Sequence, residues 1–329
     1  MKLHDNLNDG LSATLNRLCG STVNTYSFKA KMADLNDALD WYYQLAFKSG
    51  RGWEFDDINK TSPPIDTQDI VSGTNRYKFG TFTEKIINLI KLEILDDAGK
   101  GLNLIPETFN TLGLPTLGNQ SGVISNSSAN TFQELYINPS SGTPTHYCKF
   151  GDFVYLRPKP NYSETAGLKA YFNRPASKFS FVLATVTIAS PGVFTATAHG
   201  LSNTDTLILN TDGALPTGLS VDTQYYVVNK ADDTFQLSAT SGGSAINTSG
   251  SQSGNHSFLK TNTEPGIVSV HHQLLCRKAA LTFLSYINSP KLGFLPSQVL
   301  LDERTITDFY ANRDKDVKPI LTPKFQDNR

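Results

Sequence analysis

Two side chains of types that commonly bind metals lie four residues apart near the C-terminus. His272 and Cys276 fall in residues 268–288, whose apolar periodicity predicts a helix, and residues at i and i+4 lie on one helix face. A zinc site of this kind needs three or four protein ligands, and only His271 stands beside them. We therefore expect these side chains to pack in the core or to cap the helix, with no metal and no cofactor bound.

Paired carboxylates are the other candidates for chemistry, since two acidic groups can divide acid and base roles between them. Asp56-Asp57 and Asp96-Asp97 are such pairs. Adjacent residues on a strand point to opposite faces, and both pairs adjoin turn signals, so turn or capping roles are predicted. The sequence also lacks a GxxxxGKS/T phosphate loop, a GxSxG nucleophile turn and an HExxH zinc motif. The protein is therefore predicted not to be an enzyme.

The cysteines, Cys19, Cys148 and Cys276, are odd in number and form no CxxC motif. Disulfide frameworks and zinc knuckles need paired cysteines, so free, buried thiols in a reducing cytoplasm are predicted. The N-terminal MKLHDNLNDG lacks the apolar stretch of a secretion signal. No apolar run approaches the roughly 18 residues of a membrane span. Neither a secretion signal nor a membrane span is expected.

Charge is distributed unevenly along the 329 residues. Overall, 29 Lys and Arg against 30 Asp and Glu leave a net charge of -1, so no global field points to nucleic acid or to a membrane surface. Residues 183–258 contain one cation and five anions, and 35 of these 76 residues are Thr, Ser, Gly or Asn. The rest of the chain therefore has 28 cations and 25 anions. This change of composition predicts a separately folding module at 183–258.

Short β-prone runs at 186–188, 206–209, 224–228 and 234–237 alternate with turn residues in this module. The pattern predicts a small antiparallel sandwich or barrel. The HGL, LPxGL, YYV and TFQLSAT elements resemble a β module of phage tail and fibre proteins. That module is itself similar to the first catalytic-cysteine half-domain of ubiquitin-activating enzymes. No cysteine is present at 183–258, so the resemblance implies no enzymatic activity.

The flanks of the module, residues 1–182 and 259–329, are predicted to form one discontinuous domain. Ser27 is a candidate N-cap for a helix with apolar residues at helical spacing, namely Phe28, Met32, Leu35, Leu39, Tyr42 and Ala46. Strands follow, with a hairpin turn at 96–99 and then a polar loop at 113–131. Two helices are expected near the C-terminus, at 268–288 and 297–313. The predicted fold class is α+β, helices packed with an antiparallel sheet, plus an inserted all-β sandwich or barrel.

The order of motifs outside the module resembles one group of virion proteins. The motifs are LNDAL at 35–39, WEFDD at 53–57, VSGTNRY at 71–77, EILDDAGK at 93–100, GTPTHY at 142–147, GDFVYLRPKP at 151–160, YFNRP at 171–175 and FYANRDKD at 309–316. This series is similar to the head–tail connector, or adaptor, proteins of tailed bacteriophages. The resemblance implies a structural protein that forms a ring, commonly a dodecamer, beneath the portal protein in the neck of the virion.

The resemblance also implies partners. These are identical subunits, the portal protein and a tail or stopper protein, while packaged DNA passes through the ring without sequence-specific binding. We expect the helix at 28–47 and the two C-terminal helices to form the contact between subunits. The tail at 317–329, which Pro319 and Pro323 keep from forming a helix, either docks on a neighbouring subunit or the portal, or frays. The candidate contact residues are Arg313, Lys315, Lys318, Ile320, Leu321 and Phe325.

Three alternatives stay open. A tail, collar or baseplate component would use the β module to contact fibres or a receptor. A carbohydrate-binding module is the second, although the chain shows no secretion signal. Tyr225 and Tyr226 also cannot share a strand face to stack on a sugar. A hydrolase with an unrecognised site is the third.

Overall fold

The computed structural model describes residues 1–3, 10–21, 25–49, 62–83, 85–107, 139–175 and 177–313. The chain divides into two compact units, one combining Met1–Asn59 with Ala176–Arg329, the other being Lys60–Pro175. Helices and a β-barrel make up the first unit, and two β-sheets make up the second. The domain boundaries predicted from composition stay a prediction, although the strands between residues 65 and 173 gather into a unit of their own.

The α-helices of the described chain all lie in the first unit. They are α1 Leu11–Cys19, α2 Phe28–Lys48, α3 His272–Tyr286 and α4 Leu295–Arg313. Ser27 caps α2 as predicted, because its Oγ accepts a hydrogen bond from the Ala30 N–H at 3.3 Å. All six apolar positions predicted for α2 are buried, and they share one hydrophobic core with α1, α3 and α4. α1 is not among the predicted helices, although Leu11, Leu15 and Cys19 recur at helical spacing.

Six short strands close into an antiparallel barrel, as predicted for the β module. They are β9 Val182–Val186, β10 Phe194–Thr195, β11 Thr206–Thr211, β12 Gln224–Val228, β13 Thr234–Ser238 and β14 His256–Lys260. Around the barrel the order is β10-β13-β12-β11-β14-β9. Phe194, Phe235 and Phe258 fill the interior, and the first two rings stack with centroids 5.2 Å apart. Tyr225 also belongs to this interior.

The outer wall of the barrel packs against the helices of the same unit. Ile208 on β11 and Leu259 on β14 are cross-strand partners. Both are almost fully buried, and both belong to the helical core rather than to the barrel interior. Their neighbours Leu207 and Leu209 point the other way, into the barrel. The wall formed by β11 and β14 therefore contributes to the helical core of the first unit, while the barrel interior has a core of its own.

The second unit consists of two four-stranded sheets with the orders β1-β8-β3-β4 and β2-β7-β6-β5. Their strands are β1 Ile65–Ile70, β2 Arg76–Lys78, β3 Asn88–Leu95, β4 Gly101–Asn103, β5 Ile105–Glu107, β6 His146–Phe150, β7 Phe153–Arg157 and β8 Glu164–Asn173. Among these strands only β5 and β6 pair in parallel. Leu92 and Phe172 from one sheet share a buried core with Tyr147 and Leu156 from the other.

The hairpin turn predicted at 96–99 joins β3 to β4. Asp96 Oδ1 accepts hydrogen bonds from the N–H groups of Ala98 at 3.0 Å and Lys100 at 2.8 Å. Gly99 adopts a φ of 74°, which glycine reaches without strain. The Asp96 carboxylate thus stabilises a turn, as predicted. The predicted loop at 113–131 and the pair Asp56-Asp57 lie outside the described residues.

Helices, largely antiparallel sheets and a closed barrel confirm the predicted α+β class with an added all-β element. In the part of the chain that the structure describes, every helix is too short or too polar to span a bilayer.

Candidate functional site

The candidate contact residues lie at and beyond the end of α4. Arg313 is the last residue of that helix. Lys315, Lys318, Ile320, Leu321 and Phe325 lie outside the described residues. Their role in subunit or portal contact stays a prediction, and the described surface that leads up to them belongs to α3 and α4.

The apolar face of α2 packs against α1, α3 and α4 inside the chain, and the predicted contact of this helix with another subunit stays a prediction. At the centre of this face, the Tyr42 hydroxyl lies 2.7 Å from His271 Nδ1 and 2.9 Å from the Tyr310 hydroxyl. All three side chains are buried. Burial lowers the pKa of His271, and neighbouring His272 lowers it further, which favours the neutral ring, whose Nδ1 can accept a hydrogen bond from the Tyr42 hydroxyl. This polar chain joins α2, the turn before α3, and α4.

Charged contacts hold α3 and α4 together. The Arg277 guanidinium donates to both carboxylate oxygens of Asp302, from Nε at 2.6 Å and from Nη2 at 2.7 Å. This bidentate geometry is the strong form of an ion pair. Trp41 of α2 donates from Nε1 to Glu303 of α4 at 3.1 Å. These contacts hold α2, α3 and α4 in fixed positions relative to one another.

Five large apolar side chains are exposed where α3 ends and α4 begins. Their exposed fractions are 86% for Tyr286, 48% for Ile287, 71% for Phe294, 53% for Leu300 and 59% for Leu301. We call these five residues the corner surface. They include the two most exposed aromatic side chains described, and large apolar side chains left exposed close together in the chain are candidates for a binding surface.

A local signal for the corner surface exists in the sequence, although no sequence prediction singles these residues out. Tyr286-Ile287 and Leu300-Leu301 are adjacent apolar pairs. Adjacent residues on a helix point about 100° apart, so both members of a pair rarely face the centre of one core. An adjacent apolar pair on a helix therefore favours outward exposure of one member, although Leu274 and Leu275 on α3 are both buried.

His272 and Cys276 have structural partners, as predicted. The Met1 amino group lies 2.8 Å from His272 Nδ1, and His272 Nε2 donates to the Ile267 carbonyl at 3.1 Å. The Cys276 thiol donates to the Leu11 carbonyl at 3.7 Å, and burial raises its pKa to about 12. Both side chains thus fasten α3 to the N-terminal segment. Among the described residues, no three His, Cys, Asp or Glu side chains converge in a way that could hold a metal ion.

The chain matches no protein-family model, and its sequence matches none of the curated proteins. A functional conclusion therefore depends on the surfaces of the chain itself. The corner surface contains the two most exposed aromatic side chains on the described helices and the turn that joins them. Its chemistry suits contact with another protein.

Proposed function

We propose that this protein is a structural virion protein of a tailed bacteriophage. It forms a homo-oligomeric ring in the head–tail connector, as an adaptor below the portal. The observation that carries the proposal is the corner surface, five large apolar side chains exposed on and between the two C-terminal helices, which are expected to contact a neighbouring subunit. The order of motifs, from LNDAL at 35–39 to FYANRDKD at 309–316, supports the same class of protein.

Exposed apolar side chains favour association for a physical reason. Burying one large aliphatic or aromatic side chain stabilises by about 1.5–3 kcal/mol relative to leaving it in water. Five such side chains together offset much of the freedom that two subunits lose when they associate. When the corner surface of one copy contacts a different patch on the next, the contact repeats with a fixed rotation and can close into a ring.

The ring has partners on both sides in this proposal. The portal protein binds one side, and a tail or stopper protein binds the other. Packaged DNA passes through the centre without sequence-specific contacts, in keeping with 29 cations against 30 anions over the whole chain. The subunits assemble in the host cytoplasm and reside at the neck of the virion.

Electron microscopy of the purified protein tests this proposal. The full chain, alone or mixed with the portal protein encoded in the same genome, is expected to form rings in negative stain. The paired variant Tyr286→Ser/Phe294→Ser should stay folded, because both side chains are exposed, and should lose the rings. Ile188→Ser is the control, since Ile188 is 46% exposed on the barrel, and this variant should keep them.

Two outcomes would argue against a connector function. A wild-type chain that stays monomeric and ignores the portal would contradict the connector proposal. Rings that bind tail or fibre proteins but not the portal would instead support a tail, collar or baseplate component. The position of the gene gives an independent check, because neighbours encoding portal and major capsid proteins are expected for a connector.

A further inference from the structure

The outside of the barrel has a second candidate surface, which is made of polar threonine side chains, unlike the apolar corner surface. Val186, Phe194 and Phe235 form a cross-strand row on β9, β10 and β13 and point into the barrel. Because side chains alternate along a strand, the adjacent row points outward. That outward row consists of Thr185, Thr195 and Thr234, and we call it the threonine row.

The hydroxyl groups of the threonine row are free. None of them has a hydrogen-bond partner among the residues that the structure describes, and the same holds for Thr197 beyond the end of β10. Other barrel threonines are used internally: Thr187 Oγ1 accepts from the Val193 N–H at 2.9 Å. Strands lie about 4.8 Å apart, so the threonine row presents hydroxyls at a regular spacing with donor and acceptor capacity to spare.

Part of the threonine row opens onto a groove of about 510 Å³. Thr185, Thr195 and Thr197 are among its lining residues, and Leu183, which is 72% exposed, adds an aliphatic surface. Residues 252–256 also line the groove. None of the twelve lining residues is Asp, Glu, Lys or Arg.

Hydrogen bonds fix the positions of Gln252 and His256, which line the groove. Gln252 donates from Nε2 to the Val186 carbonyl at 2.8 Å, and its Oε1 lies 3.2 Å from His256 Nε2. The other ring nitrogen of His256 lies 2.8 Å from Thr211 Oγ1. These hydrogen bonds fix part of the groove lining beside the threonine row, which reduces the ordering needed when a ligand binds.

We propose that this groove binds a neutral oligosaccharide. Threonine hydroxyls both donate and accept hydrogen bonds, and they match the hydroxyls of a sugar, which do the same. The lining carries no countercharge for an ionic ligand, and the aliphatic Leu183 suits the C–H face of a pyranose ring. The volume falls within the range of about 300–1,000 Å³ typical of small-molecule sites.

Titration of the full chain with neutral oligosaccharides tests this inference. Maltohexaose, mannohexaose and hexa-N-acetylchitohexaose serve as probes, with binding followed by calorimetry. At least one probe is expected to bind saturably at millimolar concentration or below. The variant Thr185→Val/Thr195→Val removes two outward hydroxyls while keeping side-chain size and β propensity. It should melt like the wild type and bind that probe about tenfold more weakly.

Thr240→Val is the matched control, because Thr240 is exposed on the barrel and does not line the groove. Its binding should equal that of the wild type. The inference is overturned if none of the probes binds, or if Thr185→Val/Thr195→Val binds as well as the wild type. Ring formation by that variant should be unchanged, so this result and the test of the connector proposal are separate.

Discussion

Asp222, in the loop between β11 and β12, and the buried Lys31 on α2 attract each other, which favours the charged form of both groups. Lys31 is only 1% exposed. Asp222 also accepts a hydrogen bond from the N–H of Phe28, the first residue of α2. Burial lowers the pKa of Lys31 and raises the pKa of Asp222. The barrel thus both caps α2 and balances a buried lysine.

Removing the charge of Asp222 is expected to destabilise the first unit. Asp222→Asn leaves the Lys31 ammonium without its countercharge and should lower the free energy of unfolding by about 1–3 kcal/mol in urea titrations. Adding Lys31→Met should recover most of the loss, because an unbranched apolar side chain suits a buried position. A double variant no more stable than Asp222→Asn alone would show that the two groups are not coupled.

Shortening Ile208 is expected to weaken the helical core although the residue belongs to the barrel. Ile208→Ala should cost about 2–5 kcal/mol, because the side chain leaves a cavity among the helices. Ile188→Ala is the control, since Ile188 is exposed on the same barrel, and it should cost less than about 0.5 kcal/mol. Equal costs in urea unfolding would mean that the barrel wall does not contribute to that core.

Mild acid is expected to destabilise the helical core. Burial lowers the pKa of His271 and of His272 in the folded chain, whereas both titrate near about 6.5 when unfolded. Below that pH the unfolded chain binds protons that the folded chain does not, so stability falls as pH falls. At higher pH both rings are neutral in both states and the contribution is complete.

Urea midpoints measured between about pH 8 and about pH 5 check this dependence. His271→Gln should show a smaller decrease than the wild type, because one of the two buried rings is gone. A variant with the full decrease would assign the effect to other groups.

The thiols are expected to be unreactive in the folded chain. All three cysteines are free and buried, as predicted. Burial raises the pKa of Cys19 to about 11 and that of Cys276 to about 12, and it also raises the pKa of Cys148. Since the thiolate is the reactive form, iodoacetamide should label none of them until urea unfolds the chain. Mass spectrometry gives the number of labelled cysteines. Rapid labelling of Cys276 in the folded chain would contradict its buried position on α3, against α1.

Local sequence patterns predict the elements of this fold better than their assembly. The apolar spacing of α2 predicts a helix and its buried face, yet Lys31 lies on that same face. No local pattern indicates that the charge of Asp222, far along the chain, acts on Lys31. The run Leu207-Ile208-Leu209 does carry a signal, because a continuous apolar run indicates a strand buried on both faces.

The same limit applies to the corner surface. The helix predicted at 268–288 gives no sign that Tyr286 is exposed. The structure exposes Tyr286 because α3 buries Leu275, Ala279 and Ala280 against its neighbours and then ends. Which apolar residues stay exposed depends on where the helix ends, and sequence patterns place helix ends only to within a few residues.

The closed barrel also affects how readily crowded copies of the protein aggregate. An open sheet presents unpaired backbone groups along its outer strands, and crowded copies can pair through them into aggregates. In this barrel every strand has a neighbour on both sides. An assembly can therefore carry one such barrel on every subunit, at a high local concentration, without giving them free edges through which to polymerise.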